Sequence, residues 1–94
     1  LKLTGERVSA LLGDVSGWAV ASDRIHKSFT HENFVQAMAF VNRVAEVAEA
    51  EGHHPDFCVH YSRVDFTIWT HAVGGLTEND FILAAKIDGL RDGG

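Results

Sequence analysis

The chain has one cysteine, one proline, one methionine and one tyrosine in 94 residues. A lone cysteine, Cys58, cannot close an intrachain disulfide, which excludes a disulfide-stapled secreted scaffold. No apolar run approaches the roughly 18–20 residues that span a bilayer, so no membrane partner is expected. Cations are scarce too: 8 Lys and Arg stand against 13 Asp and Glu, for a formal net charge of -5. They are scattered singly from Lys2 to Arg91, whereas neutralising phosphates needs a concentrated basic face. Direct nucleic-acid binding is therefore not expected. The opening LKLTGER lacks the basic-then-apolar pattern of an export signal, so the expected location is cytoplasmic. A start at Leu1 rather than Met reads as a trimmed chain.

What is present is an ordinary folding balance, 46% hydrophobic and 22% charged, with no repeat, linker or low-complexity tract. One domain over residues 1–94 is the expectation. Thr4 to Leu12 carries Val8, Leu11 and Leu12 on one helical face, with Thr4 as N-cap. Trp18–Ser22 and Ile25–Phe29 read as a hairpin around Ser22-Asp23-Arg24. From Asn33 to Glu51, Phe34, Ala37, Met38, Val41, Val44, Ala45 and Ala48 recur at three- and four-residue steps, the mark of a long amphipathic helix. Thr30 or Asn33 can start that helix, and Gly52 is placed to end it.

A strand over Phe57–Tyr61 and a second over Val64–Trp69 follow, with Val64, Phe66 and Ile68 on one face. After a turn at Gly74-Gly75, Thr77 opens a last helix carrying Phe81, Ile82, Ala85 and Leu90. The order helix, hairpin, helix, hairpin, helix implies an α+β fold: a four-stranded antiparallel sheet with helices packed on one face. Asp65, Thr67 and Trp69 fall on the other face. Leaving Trp69 there in water argues for a homo-oligomer, with simple exposure of one indole as the alternative.

Histidine is the unusual count, at six. His53, His54 and Pro55 follow the long helix directly, His71 ends a strand, and Asp80 lies in the first turn of the last helix. Such element ends let side chains converge on a cleft built on rigid scaffold. Pro55 biases His54 to an extended backbone, where neighbouring side chains diverge. One of the two, paired with His71 across a cleft, can then serve as general acid and general base at neutral pH. Three His and one carboxylate also admit a metal site, but adjacent histidines rarely share one ion and no helical His-x-x-x-His occurs; no metal is expected. His26, His31 and His60 read as surface or hydrogen-bonded residues. Glu49 reads equally as solvated helix surface, and Asp80 as the acid of a capping box begun by Thr77. Cys58, in an apolar strand, reads as packing rather than as a nucleophile.

The pattern Glu49-x-x-x-His53-His54-Pro55, five residues, Tyr61, nine residues, His71, eight residues, Asp80 resembles the signature of the pterin-4a-carbinolamine dehydratases. It fixes seven residues over 32 positions, and weaker similarity extends through Gly17-Trp18 and the long helix to nearly the whole chain. The resemblance implies an α+β domain forming dimers or tetramers. The implied reaction is loss of water from a 4a-hydroxytetrahydropterin to give quinonoid dihydropterin, recycling the pterin of aromatic amino-acid hydroxylases without metal or organic cofactor. His53 and His71 would be the principal acid/base residues, with His54 contacting substrate and contributing less. Glu49, His54, Pro55 and Asp80 would form the substrate site. Two departures from animal members stand out: Asn79 replaces an arginine, and Trp69 a small hydroxyl residue. Members also serve as a dimerisation cofactor of a homeodomain transcription factor, and relatives of the fold as assembly factors for a carbon-fixing enzyme. A binding or assembly scaffold without turnover is thus the alternative, its protein partner unspecified by the sequence.

Overall fold

The computed structural model describes residues 1–92. Its elements are α1 (Gly5–Leu12), β1 (Ala19–Ala21), β2 (Arg24–Thr30), α2 (Phe34–Glu51), β3 (Asp56–His60), β4 (Arg63–Ile68), a 3-10 turn (His71–Val73) and α3 (Glu78–Asp92). The strands form one antiparallel sheet in the order β1-β2-β4-β3. This is the α+β arrangement expected from the order of elements.

Local chemistry explains most boundaries. Thr4 caps α1 by accepting from the Arg7 N–H, and Asn33 caps α2 by accepting from the Gln36 N–H. Gly52 ends α2 in the left-handed conformation, at φ 65°, where a side chain would be strained. The first hairpin turns on two residues, Ser22 and Asp23, both at positive φ. Arg24 belongs to β2 rather than to the turn, because the twist of a two-residue turn matches that of the strands. In the second hairpin Tyr61 is a turn residue at φ 51°, not the end of a strand.

The core lies between the sheet and α2 and α3. Val64, Phe66 and Ile68 point inward as the alternation requires, and β2 adds Ile25 and Phe29. Phe29, Phe40 and Phe66 pack with ring centroids 5.0 to 6.1 Å apart. Full burial of such a side chain contributes about 1.5–3 kcal/mol. Two helix faces differ from expectation. On α2, Phe40 is fully buried while Phe34 and Ala45 are exposed. On α3 the buried apolar set is Phe81, Leu83, Ala84 and Ile87, while Ile82 and Ala85 face outward. In both helices the apolar residues outnumber the buried positions, so periodicity alone leaves the stripe's rotation ambiguous by one residue. Trp18, expected in a strand, precedes β1; its Nε1 donates to Asp88 at 3.1 Å, and Lys27 reaches the same carboxylate at 2.8 Å.

The sheet's other face is polar, carrying His26, Ser28, Asp65 and Thr67. Cys58 is exposed rather than packed, because β3 is an edge strand and its register sets Cys58 opposite Asp65. His26 is hydrogen-bonded to Thr67 at 3.1 Å, and His60 lies 3.5 Å from Asp65. His31 departs from its expected surface role. It is half-buried on Phe40 with centroids 4.8 Å apart, and its Nε2 is buried with no partner among the described residues.

That geometry has a pH consequence. Burial, and then the guanidinium groups of Arg91 on α3 and Arg43 on α2, hold the His31 pKa below its ordinary value; Glu32 shares its cleft. As pH falls, the unfolded chain takes up this proton first. His31 therefore supports folding above the ordinary imidazole pKa of 6.5 and withdraws that support as pH falls toward its lower folded value. Urea midpoints measured across this range should fall less steeply for His31→Phe, which keeps the stack on Phe40, than for wild type. Parallel declines would mean that His31 does not carry the effect.

Candidate functional site

Two cap-ended segments bring the histidines to one place. Gly52 stops α2, and the chain leaves through His53, His54 and Pro55 into β3. Beyond β4, Trp69 and Thr70 lead into the 3-10 turn that begins at His71. His71 thus opens a turn rather than ending a strand, and Gly74, left-handed at φ 62°, closes that turn. Gly52, His53, His54, Pro55, Asp56, Trp69, Thr70 and His71 line a groove of about 330 Å³. That volume lies in the range of small-molecule clefts, about 300–1,000 Å³. Two larger clefts, of about 550 and 630 Å³, lie elsewhere. Among the described residues neither places two imidazoles together, so chemistry rather than size selects the histidine groove.

Asp80 is fully buried behind His53. Its Oδ2 accepts from the Thr77 N–H at 2.8 Å and from the Thr70 hydroxyl at 2.9 Å. Its Oδ1 lies 2.5 Å from His53 Nε2. A carboxylate only accepts, so the shared proton sits on Nε2, and the tautomer this fixes carries its lone pair on Nδ1. Asp80 bonds back to the helix cap as a capping-box acid does, and its other oxygen meets a histidine of the groove. The Thr77 side chain turns instead to Thr70, 2.9 Å away. Thr70 was not among the residues singled out from sequence. It continues the inward phase of Val64, Phe66 and Ile68, which was the available signal.

His54 diverges from His53, as its position before Pro55 implied. Its Nε2 lies 2.5 Å from Glu49 Oε2, and both side chains are mostly exposed. Glu49, His54 and Pro55 also edge a smaller apolar cleft of about 140 Å³ with Val41, Phe57 and Phe66. Six of the seven signature residues therefore gather around the groove. Tyr61 does not; it sits at the turn, the opposite end of the β3–β4 hairpin from Asp56 and the groove. Asn79 lines a separate cleft with Lys2, Thr4 and Arg7 rather than the histidine groove. Trp69 does line the groove, and its Nε1 donates to Asp56 at 3.3 Å.

Residues 1–90 match the family model described as pterin 4 alpha carbinolamine dehydratase. The chain belongs to this family. It is 48% identical over 94 residues to pterin-4-alpha-carbinolamine dehydratase 2, mitochondrial, of Arabidopsis thaliana, an alignment taking in 95% of this chain and 50% of that one. The chain thus spans half the length of that dehydratase relative. Among solved structures, a transcriptional coactivator/pterin dehydratase from Brucella melitensis superposes with a TM-score of 0.92 at 33% identity, covering 96% of this chain and 98% of that one. A pterin dehydratase-like protein identified as a RuBisCO assembly factor in the alpha-carboxysome superposes at 0.65 with 23% identity, over 78% of this chain and 84% of that one. That second likeness is one of fold. Among the described residues, no helix is long and apolar enough to cross a membrane.

Proposed function

We propose that the chain dehydrates a 4a-hydroxytetrahydropterin to the quinonoid dihydropterin, with His53 and His71 as its acid/base pair. The observation that carries this reading is the His53–Asp80 pair, set in a groove that His71 also lines. In the reaction the C4a–O bond breaks, the N5–H bond breaks, and a C4a=N5 double bond forms. One proton must reach the departing hydroxyl and one must leave N5. His53, with its Nε2 proton held by Asp80, offers Nδ1 as the acceptor of the N5 proton. His71 donates to the hydroxyl, which leaves as water. Transfer by two positioned imidazoles contributes about 10²–10⁴-fold per group. His54, Glu49 and Pro55 bound the side of the groove where the pterin ring would lie, and need no metal or organic cofactor for this role.

The chain is read as one domain acting in the cytoplasm. Assembly into homodimers or homotetramers is part of the proposal, supported by exposed apolar side chains such as Val20, Phe57 and Val35 and by the small size of the chain. Trp69, the apolar group that the sequence places on the open face, is half-buried within its own chain and lends this no support. The test is to generate the 4a-hydroxytetrahydropterin in place with an aromatic amino-acid hydroxylase and to follow its loss by absorbance. Acceleration over the spontaneous reaction supports the enzyme. A folded protein that leaves the spontaneous rate unchanged overturns it in favour of a binding or assembly role.

A further inference from the structure

We propose that Trp69 is a positioning residue for His71, acting as a rigid wall that sets the direction of its imidazole in the groove. The indole and imidazole stack with centroids 3.9 Å apart and planes 20° from parallel. The Arg24 guanidinium also lies over the indole, 4.2 Å from the ring centroid. The edge of the indole is tied as well, through Nε1 to Asp56 on β3. Strands β2 and β3 therefore immobilise a side chain that itself sits just beyond β4. Arg24 and Trp69 meet because the β2–β4 register, pairing Ile25 with Ile68, continues one residue further on the outer face.

His71 needs such support. It is exposed and lies in a single 3-10 turn that closes on two glycines. A histidine there is free to exchange between staggered rotamers. Only a rotamer facing the groove brings a ring nitrogen to substrate, and misplacing a reacting group by an ångström can cost about 10²-fold. His53 obtains its orientation from a buried carboxylate; His71 obtains its own from a stacked ring. The two halves of the pair are thus held by different physics, one by a charge-assisted hydrogen bond and the other by aromatic contact.

The kinetic part of this inference rests on the dehydratase reading, whereas its structural part does not. The test joins NMR of the His71 ring protons with steady-state kinetics, for wild type, Trp69→Ala, Trp69→Phe and Arg24→Gln. In wild type the His71 ring protons should lie upfield, within the ring current of the indole. Trp69→Ala should release that shift and lower kcat by on the order of 10-fold or more while moving KM much less. Trp69→Phe should retain much of both. Arg24→Gln, which loosens the wall from behind without touching His71, should give a smaller change in the same direction; it decides the matter if Trp69→Ala does not fold. Unmoved His71 signals in Trp69→Ala would overturn the proposal, and so would a raised KM with kcat unchanged, which would make Trp69 a substrate contact. Absence of turnover in wild type would overturn the dehydratase reading instead, leaving the NMR comparison to judge the role of Trp69.

Discussion

Replacing His71 with alanine should lower the dehydration rate by about 10²-fold or more, the scale of losing a general acid or base. Replacing His53 should do the same. Dehydration of the carbinolamine takes the hydroxyl from C4a and the proton from N5. With His71 as the proposed acid, its loss would leave the hydroxyl to depart unprotonated; with His53 as the proposed base, its loss would leave the N5 proton to pass to water. Because the losses arise in the transition state, kcat should fall with kcat/KM, and KM should change little. His54→Ala should cost less and act mainly on KM, since its imidazole pairs with Glu49 at the exposed rim. An inactive His54→Ala beside a fully active His71→Ala would reverse the assignment.

Asp80→Asn should be nearly as damaging, although Asp80 cannot touch substrate. Oδ2 faces the Thr77 N–H, a donor fixed in the backbone at the start of α3, together with the Thr70 hydroxyl. An asparagine must keep its carbonyl oxygen on that side and turn its amide toward His53. The amide then donates to Nε2, and the imidazole proton moves to Nδ1. His53 would present a donor where the reaction needs a lone pair. In serine proteases the equivalent carboxylate-to-amide change costs about 10⁴-fold through the same tautomer inversion, so a loss of about 10²-fold or more is expected here. Nitrogen-15 shifts of the His53 ring should report the exchange of protonated and bare nitrogens. Asp80→Ala should also weaken the fold, because it strands the buried Thr77 N–H, at about 1–3 kcal/mol for such an unpaired group. An Asp80→Asn variant with wild-type turnover would show that Asp80 serves the helix cap alone.

The α2 boundaries were legible because Asn33 and Gly52 carry local chemistry, a side-chain acceptor and a tolerance for positive φ. The divergence of His53 from His54 followed from the proline ring of Pro55. Asp80 was visible as a capping acid, since Thr77 lies three residues before it. Its bond to His53 was not readable from spacing, because 27 residues and a whole hairpin separate them. The Arg24–Trp69–His71 stack was hidden for the same reason: it depends on the β2–β4 register, which no local pattern states. Trp69 therefore read as a bare apolar surface, when in fact its own chain half-covers it. The stripe of α3 was blurred by Ile82 and Ala85, apolar residues left on the exposed side.

The proposed reaction uses two imidazoles, one to give a proton and one to take one. Its most direct test is stopped-flow dehydration of a 4a-hydroxytetrahydropterin by wild type and by the double variant His53→Ala/His71→Ala, with circular dichroism to confirm that both are folded. Rapid loss of the carbinolamine with wild type, and only the spontaneous rate with a folded double variant, is the predicted result. A folded double variant that still accelerates the reaction as wild type does would contradict it.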